Sequence, residues 1–176
     1  MTFNGMWQSI ISFKYLTMPF RKALITTLLV LSTILSYGQQ RIAQMPCQNE
    51  SIMHQADSIK KELAKQGFII LKENSMTMES EYEMPVIVPL TQGTWYQFVF
   101  IGDITSRLYE VRMYDWNEKQ VAYEKKQWGD VDGNVIRYSY IPKFSEYHMM
   151  KPVQVNKDKT KKKNLCGYVM LLKKVQ

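Results

Sequence analysis

The spacing of apolar residues along this chain changes once, at Gly67. Before it, Ile52, Met53, Ala56, Ile59 and Leu63 recur at steps of three and four residues, which puts them on one helical stripe. Asn49 or Ser51 can cap the start of that helix and Gly67 suits its end. The stripe is narrow, so it predicts a helix lying on a sheet. After Gly67 the period is two. "FIILKEN", "YEMPVIVPL", "TWYQFVFIG", "SRLYEVRMYDW", "KQVAYEKKQW", "NVIRYSYIP", "EYHMMKPVQV" and "LCGYVMLLKKV" read as short strands, with turns at "IGDITS", "DWNEK", "GDVDGN" and "IPKFSE". In the second of these, Tyr82, Met84, Val86, Val88 and Leu90 share a face. Pro85 and Pro89 cannot donate to a ladder, which places that strand at an edge or at a bulge. No helices alternate with the strands, so a parallel α/β sheet is disfavoured. The predicted class is mainly β: an antiparallel, jelly-roll-like β-sandwich of about eight strands with one N-terminal helix packed on a sheet.

Two strands break the alternation. "FVFIG" and "YVMLL" are apolar on both faces, whereas a strand with one wet face alternates. One sheet is therefore covered outside as well as inside, and the helix is the available cover. This reads Trp95, Tyr96, Phe98 and Phe100 as the wall of a doubly covered central strand and not as a ligand groove.

The first forty residues carry a different pattern. "ALITTLLVLSTIL", Ala23 to Leu35, follows Arg21 and Lys22 and precedes the small residues Ser36 and Gly38. A basic start, a short apolar middle and a small-residue exit make a signal peptide over 1–38, with cleavage after Gly38. Residues 1–17 fit either an extended first region or sequence upstream of a start at Met18. The leader and the "YGQ" that ends it resemble exported proteins of the Bacteroidetes. The mature chain then comprises an N-terminal segment and helix, 39–67, and a β-sandwich domain, 68–176. Its apolar runs are too short to span a membrane. An exported chain, periplasmic or extracellular, favours a disulfide between its two cysteines, Cys47 and Cys166. That bridge would tie the start of the helix to the last strand.

Charge narrows the function classes. Lys14, Arg21 and Lys22 leave with the leader, lowering the formal charge from +7 to +4. What remains is concentrated in "NKDKTKKKN", Asn156 to Asn164. A basic loop is not the whole-domain footprint of a nucleic-acid binder. It reads as a solvated hairpin whose lysines discourage edge pairing, or as a contact for an acidic glycan or envelope phosphate.

The stretch from Val86 to Met150 resembles the bacterial pre-peptidase C-terminal domain and related jelly rolls. Leu90, Gly93, Tyr96, Tyr114, Asp115, Pro142, Ser145 and Tyr147 stand at positions of that pattern, and Glu146 departs from it where the family has Gly. The resemblance implies an accessory module of the kind found beside secreted enzymes, some of which bind calcium or carbohydrate.

Few residues point to chemistry. "GDVDGN" places Asp130, Asp132 and Asn134 at alternate positions, like the front half of a calcium loop, with Asp103 and Asp115 as ligands from elsewhere. No acidic residue closes the loop, and "DG" is also a hairpin turn, so no cofactor is required and calcium is the one cation this loop would suit. His54 and His148 have no partnering motif, and no nucleophile elbow, paired-histidine metal motif or phosphate loop is present. Glu79, Glu81 and Glu83 read as a solvated acidic row. Tyr109, Trp116 and Trp128 lie near turns, where an aromatic row would serve a carbohydrate. Together these features describe an exported, non-catalytic binding or accessory module, with a glycan or envelope component as its partner. A small secreted hydrolase or glycan-active enzyme, and a structural or inhibitor-like protein, are the alternatives the residues leave open.

Overall fold

The computed structural model describes residues 45–127, 129–130, 133–158 and 164–175. The leader, Trp128, Asp132 and the lysine run at 159–163 lie outside the described residues. The order is α1 (Glu50–Lys65), β1 (Phe68–Glu79), β2 (Val86–Leu90), β3 (Tyr96–Ile101), β4 (Ser106–Tyr114), β5 (Gln120–Gln127), β6 (Val135–Tyr140), β7 (Glu146–Asn156) and β8 (Asn164–Lys174). The strands form two four-stranded antiparallel sheets, β1-β8-β3-β6 and β2-β7-β4-β5. Among the described residues, the mainly-β sandwich with one helix is thus the observed class. Strand β2 is at the edge of its sheet, one of the two placements that the prolines allow. Lys72 Nζ donates to the Ile87 carbonyl (3.2 Å), joining β1 to β2 where the two sheets have their edges side by side.

Alternation decides the packing. Val86, Val88, Leu90, Val111, Met113 and Met150 from one sheet meet Met76, Met78, Phe98, Phe100, Ile136 and Leu171 from the other to form the inner core. The intervening residues Val99, Ile101, Tyr168, Met170 and Leu172 point outward and are covered by Ile52, Ala56, Ile59 and Leu63 of α1. One sheet is therefore helix-backed, as the two doubly apolar strands imply. Tyr96, Phe98 and Phe100 do wall the core. Trp95 does not: it precedes β3, is 44% exposed, and touches Phe68 edge-on with ring centroids 5.7 Å apart.

Polar groups fix the helix in place. Asn49 Oδ1 accepts the Ile52 N–H (3.2 Å), and Gly67 takes φ +79° where the chain leaves the helix. Lys60 bridges Asp57 and Glu73, Arg137 pairs with Glu62, and Asn134 Nδ2 donates to Gln55 Oε1 (3.0 Å). The Tyr168 hydroxyl donates to Glu73 (2.6 Å). That bond, with Lys60 behind it, holds the Glu73 carboxyl below the usual range. Its contribution to docking is present at neutral pH and is lost as pH falls through that lowered value. A Cys47–Cys166 disulfide ties the segment before α1 to β8. Beside it, Thr77 N–H donates to the Met45 carbonyl (2.8 Å), so residues 45–47 begin to pair with the edge of β1.

At one end of the sandwich a single amide holds both sheets. Gln154, fully buried on β7, accepts from the Asp103 N–H (2.8 Å) and the Ser106 hydroxyl (3.2 Å) and donates to the Cys166 carbonyl (3.0 Å). Asp103 in turn accepts from Thr105 and from the Cys166 N–H. Gly102 is required beside it, because a Cβ there would collide with the Tyr109 ring.

Candidate functional site

The two sheets differ in what covers them. The outer face of the helix-backed sheet lies under α1. On the other sheet, residues opposite the buried ones face outward: Ile87 and Pro89 on β2, Tyr147, Met149 and Lys151 on β7, Arg112 and Tyr114 on β4, and Tyr123 on β5. Register sets them in rows. Pro89 is opposite Tyr147, Ile87 and Tyr114 flank Met149, and Lys151 and Tyr123 flank Arg112. Trp116, just past the end of β4, leans toward Tyr147 with ring centroids 6.2 Å apart and planes at 47°. The indole is 70% exposed and Tyr147 is 54% exposed.

A chain of alternating charges runs beside these rings. Lys151 Nζ lies 2.9 Å from Glu83 Oε2 and 5.2 Å from the centre of the Tyr114 ring. Glu83 Oε1 is 3.1 Å from Arg112 Nη1, and Arg112 also pairs with Glu110, which is nearly buried. Glu83 is thus not part of a solvated acidic row. Strand β1 ends at Glu79 and Glu81 takes φ +73°, so the alternation across the three glutamates is broken and Glu83 turns onto this face. The surface therefore offers flat apolar rings beside donors and acceptors that hold one another in position.

Of the residues singled out in the sequence, Trp116 stands on this face. Tyr109 is a correction: it is 2% exposed, its hydroxyl donates to the Asp103 and Ser106 carbonyls (2.8 and 3.1 Å), and it belongs to the inner core. Burial, and then the nearby Asp103 carboxylate, pushes its phenol up to about 12. On β4 Tyr109 shares the inward face with Val111 and Met113. Trp128 lies outside the described residues. Tyr114, Tyr123 and Tyr147 on this face are not among the ligand candidates read from the sequence, although each is out of phase with an inward-facing neighbour, Met113, Ala122 or His148.

Of the candidate calcium ligands in the turn before β6, Asp130 and Asn134 are described. Asp130 Oδ2 accepts the Gln127 N–H (2.6 Å), and the Asp130 carbonyl accepts from Gly133 N–H (2.9 Å), so this carboxylate closes the hairpin. Asn134 is buried, and Nδ2 donates to the Gly102 carbonyl (2.7 Å) and to α1. Asp132 lies outside the described residues. Asp103 is at this end of the sandwich, but Asp115 is at the far end of β4, about 25 Å away at the usual rise of a strand. Among the described residues no group of three His, Cys, Asp or Glu side chains is placed to hold a metal ion. Because Asp130 is engaged by the Gln127 N–H and Asn134 by Gly102 and Gln55, calcium is expected to leave the melting temperature where matched ionic strength puts it. A calcium-specific rise that Asp130→Ala abolishes would contradict this.

The histidines divide. His54 is exposed on α1. His148 is buried inside the sandwich, with Nε2 3.2 Å from the Tyr140 hydroxyl and Nδ1 3.4 Å from the Glu146 carbonyl. It faces away from the outer surface that carries Tyr147 and Met149. The described part of the lysine loop, Lys157 and Asp158, is exposed at the opposite end of β7 from Tyr147.

No protein-family model matches the chain, and no curated protein does. The sandwich implied by the pre-peptidase C-terminal resemblance is present, while that family itself gains no support. Among solved structures, the chain is similar to a CBM4 module (12% identity, 61% of this chain, 77% of that one, TM-score 0.37). It is also similar to TmCBM61 in complex with β-1,4-galactotriose (10%, 62%, 84%, TM-score 0.35). A further similarity is to the disulfide-linked pili of Bacillus endospore appendages (6%, 61%, 88%, TM-score 0.38). At such scores these likenesses bear on neither ligand nor mechanism.

Proposed function

We propose that this chain is an exported, non-catalytic binding module whose ligand surface is the outer face of the sheet β2-β7-β4-β5, and that its ligand is a glycan. The observation that carries the reading is the Trp116–Tyr147 pair, two large rings held in water at one corner of that face. Contiguous exposed apolar surface rimmed by polar groups marks an interaction site. A sugar ring complements such a surface, since its C–H face lies on an aromatic ring while its hydroxyls reach the rim. Arg112, Glu83 and Lys151 supply that rim, already oriented by their mutual ion pairs, so little ordering remains for the ligand to impose. The Cys47–Cys166 bridge fits an oxidising compartment, and the segment from Arg21 to Gly38 fits a leader that delivers the chain there.

The test is affinity electrophoresis and calorimetry against a panel of soluble polysaccharides. Trp116→Ala is expected to weaken the best binder by about tenfold or more, as removal of a central aromatic anchor does. The melting temperature should hardly move, because surface substitutions alter stability by only about 0.5 kcal/mol. Unchanged affinity in Trp116→Ala and Tyr147→Ala, or a panel without any binder, would contradict the proposal.

A further inference from the structure

The charges on the open face are arranged around one carboxylate. Arg112 and Lys151 are direct cross-strand partners on β4 and β7. Both side chains stand on the outer face, since Val111, Met113 and Met150 beside them enter the inner core. Two cations set opposite each other on one face of a sheet destabilise it. Glu83 removes that repulsion: Oε1 lies 3.1 Å from Arg112 Nη1 and Oε2 lies 2.9 Å from Lys151 Nζ, so each oxygen serves one cation. The backbone holds the glutamate in this place. Glu81 N–H donates to the Gln154 carbonyl (2.9 Å) and Met84 N–H to the Pro152 carbonyl (3.1 Å), which lays residues 81–84 along β7.

Around this bridge the charges balance. Arg112 also pairs with Glu110, so the two cations and the two carboxylates cancel. Lys143 and Glu146, before Tyr147, cancel as well, and the turn that carries Trp116 adds Asp115, Glu118 and Lys119, one negative charge net. Lys125 stands opposite Glu110, one row further from the rings. A glycan laid from Trp116 along β7 reaches the Arg112–Lys151 row about 13 Å from Tyr147, at the usual rise of a strand. A carboxylate arriving there meets Glu83 already between the two cations, well inside the distance over which physiological salt screens a charge. A sugar hydroxyl meets no such repulsion and finds donors and acceptors in fixed positions.

We propose that Glu83 sets the charge class of the ligand: by holding both cations it closes this face to acidic sugars, and the glycan taken is uncharged. The inference rests on the open-face reading and names the ligand class for that site. The experiment is a ¹⁵N NMR titration of the whole protein with trigalacturonate, and with its methyl ester as uncharged control. The wild type is expected to bind trigalacturonate no more tightly than the ester. Glu83→Gln keeps the shape of the side chain and removes its charge, leaving Arg112 and Lys151 without their shared carboxylate. It should bind trigalacturonate about tenfold more tightly than the wild type, as one new charge-assisted hydrogen bond implies, with the amides of Arg112, Tyr114 and Lys151 shifting together. Adding Lys151→Gln to that variant should remove the gain, which a purely structural role of Glu83 would not produce. Glu83→Ala repeats the measurement should the glutamine variant fold poorly, and the wild-type comparison needs no variant. A folded Glu83→Gln protein without the gain, a gain that survives Lys151→Gln, or a wild type that prefers trigalacturonate to the ester at these amides would overturn the proposal. The open-face reading fails separately, when no glycan depends on Trp116 and Tyr147. An acidic polysaccharide as the best wild-type binder, lost in Trp116→Ala, would uphold that reading and overturn the role of Glu83.

Discussion

Gln154→Leu is expected to lower the stability of this protein by about 3 kcal/mol or more. The side chain fits by volume, so the effect isolates the amide. Its removal strands the Asp103 N–H, the Ser106 hydroxyl and the Cys166 carbonyl in a place that water reaches poorly. A buried polar group left without a partner costs about 1–3 kcal/mol, and three are affected. The groups belong to both sheets: Ser106 to β4, Cys166 to β8, with Asp103 in the turn between β3 and β4. The variant should therefore lose cooperativity between sheets as well as midpoint stability. Urea unfolding followed by circular dichroism and by tryptophan fluorescence would check both, since separate transitions by the two probes report a loss of two-state behaviour. A change below about 1 kcal/mol with coincident transitions would mean that water replaces the amide at no net cost.

Cys47→Ala should cost about 2–5 kcal/mol, the usual range for a native bridge in a small secreted domain. The two cysteines are 119 residues apart, so the bridge closes nearly the whole of the described chain. On the chain-entropy model such a loop contributes roughly 4–5 kcal/mol. The loss should be greatest at the helix, because Cys47 leads directly into the cap of α1 and residues 45–47 border β1. Hydrogen exchange would locate it there. A reductant should bring the wild type to the stability of the variant and leave the variant unchanged. Equal stability of the two in the absence of reductant would contradict the bridge as a structural element.

Much of this architecture could be read from periodicity. The step from 3.6 to 2 at Gly67 separates α1 from eight strands, and the doubly apolar "FVFIG" and "YVMLL" require a sheet covered on both sides. Pro85 and Pro89 put β2 at an edge or a bulge, of which the edge is observed. Other features needed more than period. Strand β1 runs five residues past "FIILKEN" because Met76 and Met78 alternate with polar neighbours, a pattern hidden by its small amplitude. Trp95 is not distinguishable in sequence from the core aromatics, because the period does not show how much of the outer face the helix covers. Tyr109 was read as a turn residue because the phase of β4 is set by its partners, β5 and β7, and partner order is not encoded in alternation. For the same reason the candidate face was only partly legible. Trp116 could be picked out alone, but its neighbour Tyr147 comes from a strand two elements later, and Glu83 reaches Arg112 only because the chain leaves β1 through a strained residue.

The central claim, that the ligand lies on the outer face of the sheet β2-β7-β4-β5, is tested most directly by mapping where a bound glycan perturbs the backbone. Titration of ¹⁵N-labelled protein with the best-binding polysaccharide fragment should shift the amides of Ile87, Arg112, Tyr114, Trp116, Tyr123, Tyr147 and Lys151 together, with one dissociation constant. Amides of α1 and of Gly129, Asp130, Gly133 and Asn134 should stay in place. Shifts confined to the helix, to that turn or to the lysine loop, with Trp116 and Tyr147 unmoved, would contradict it.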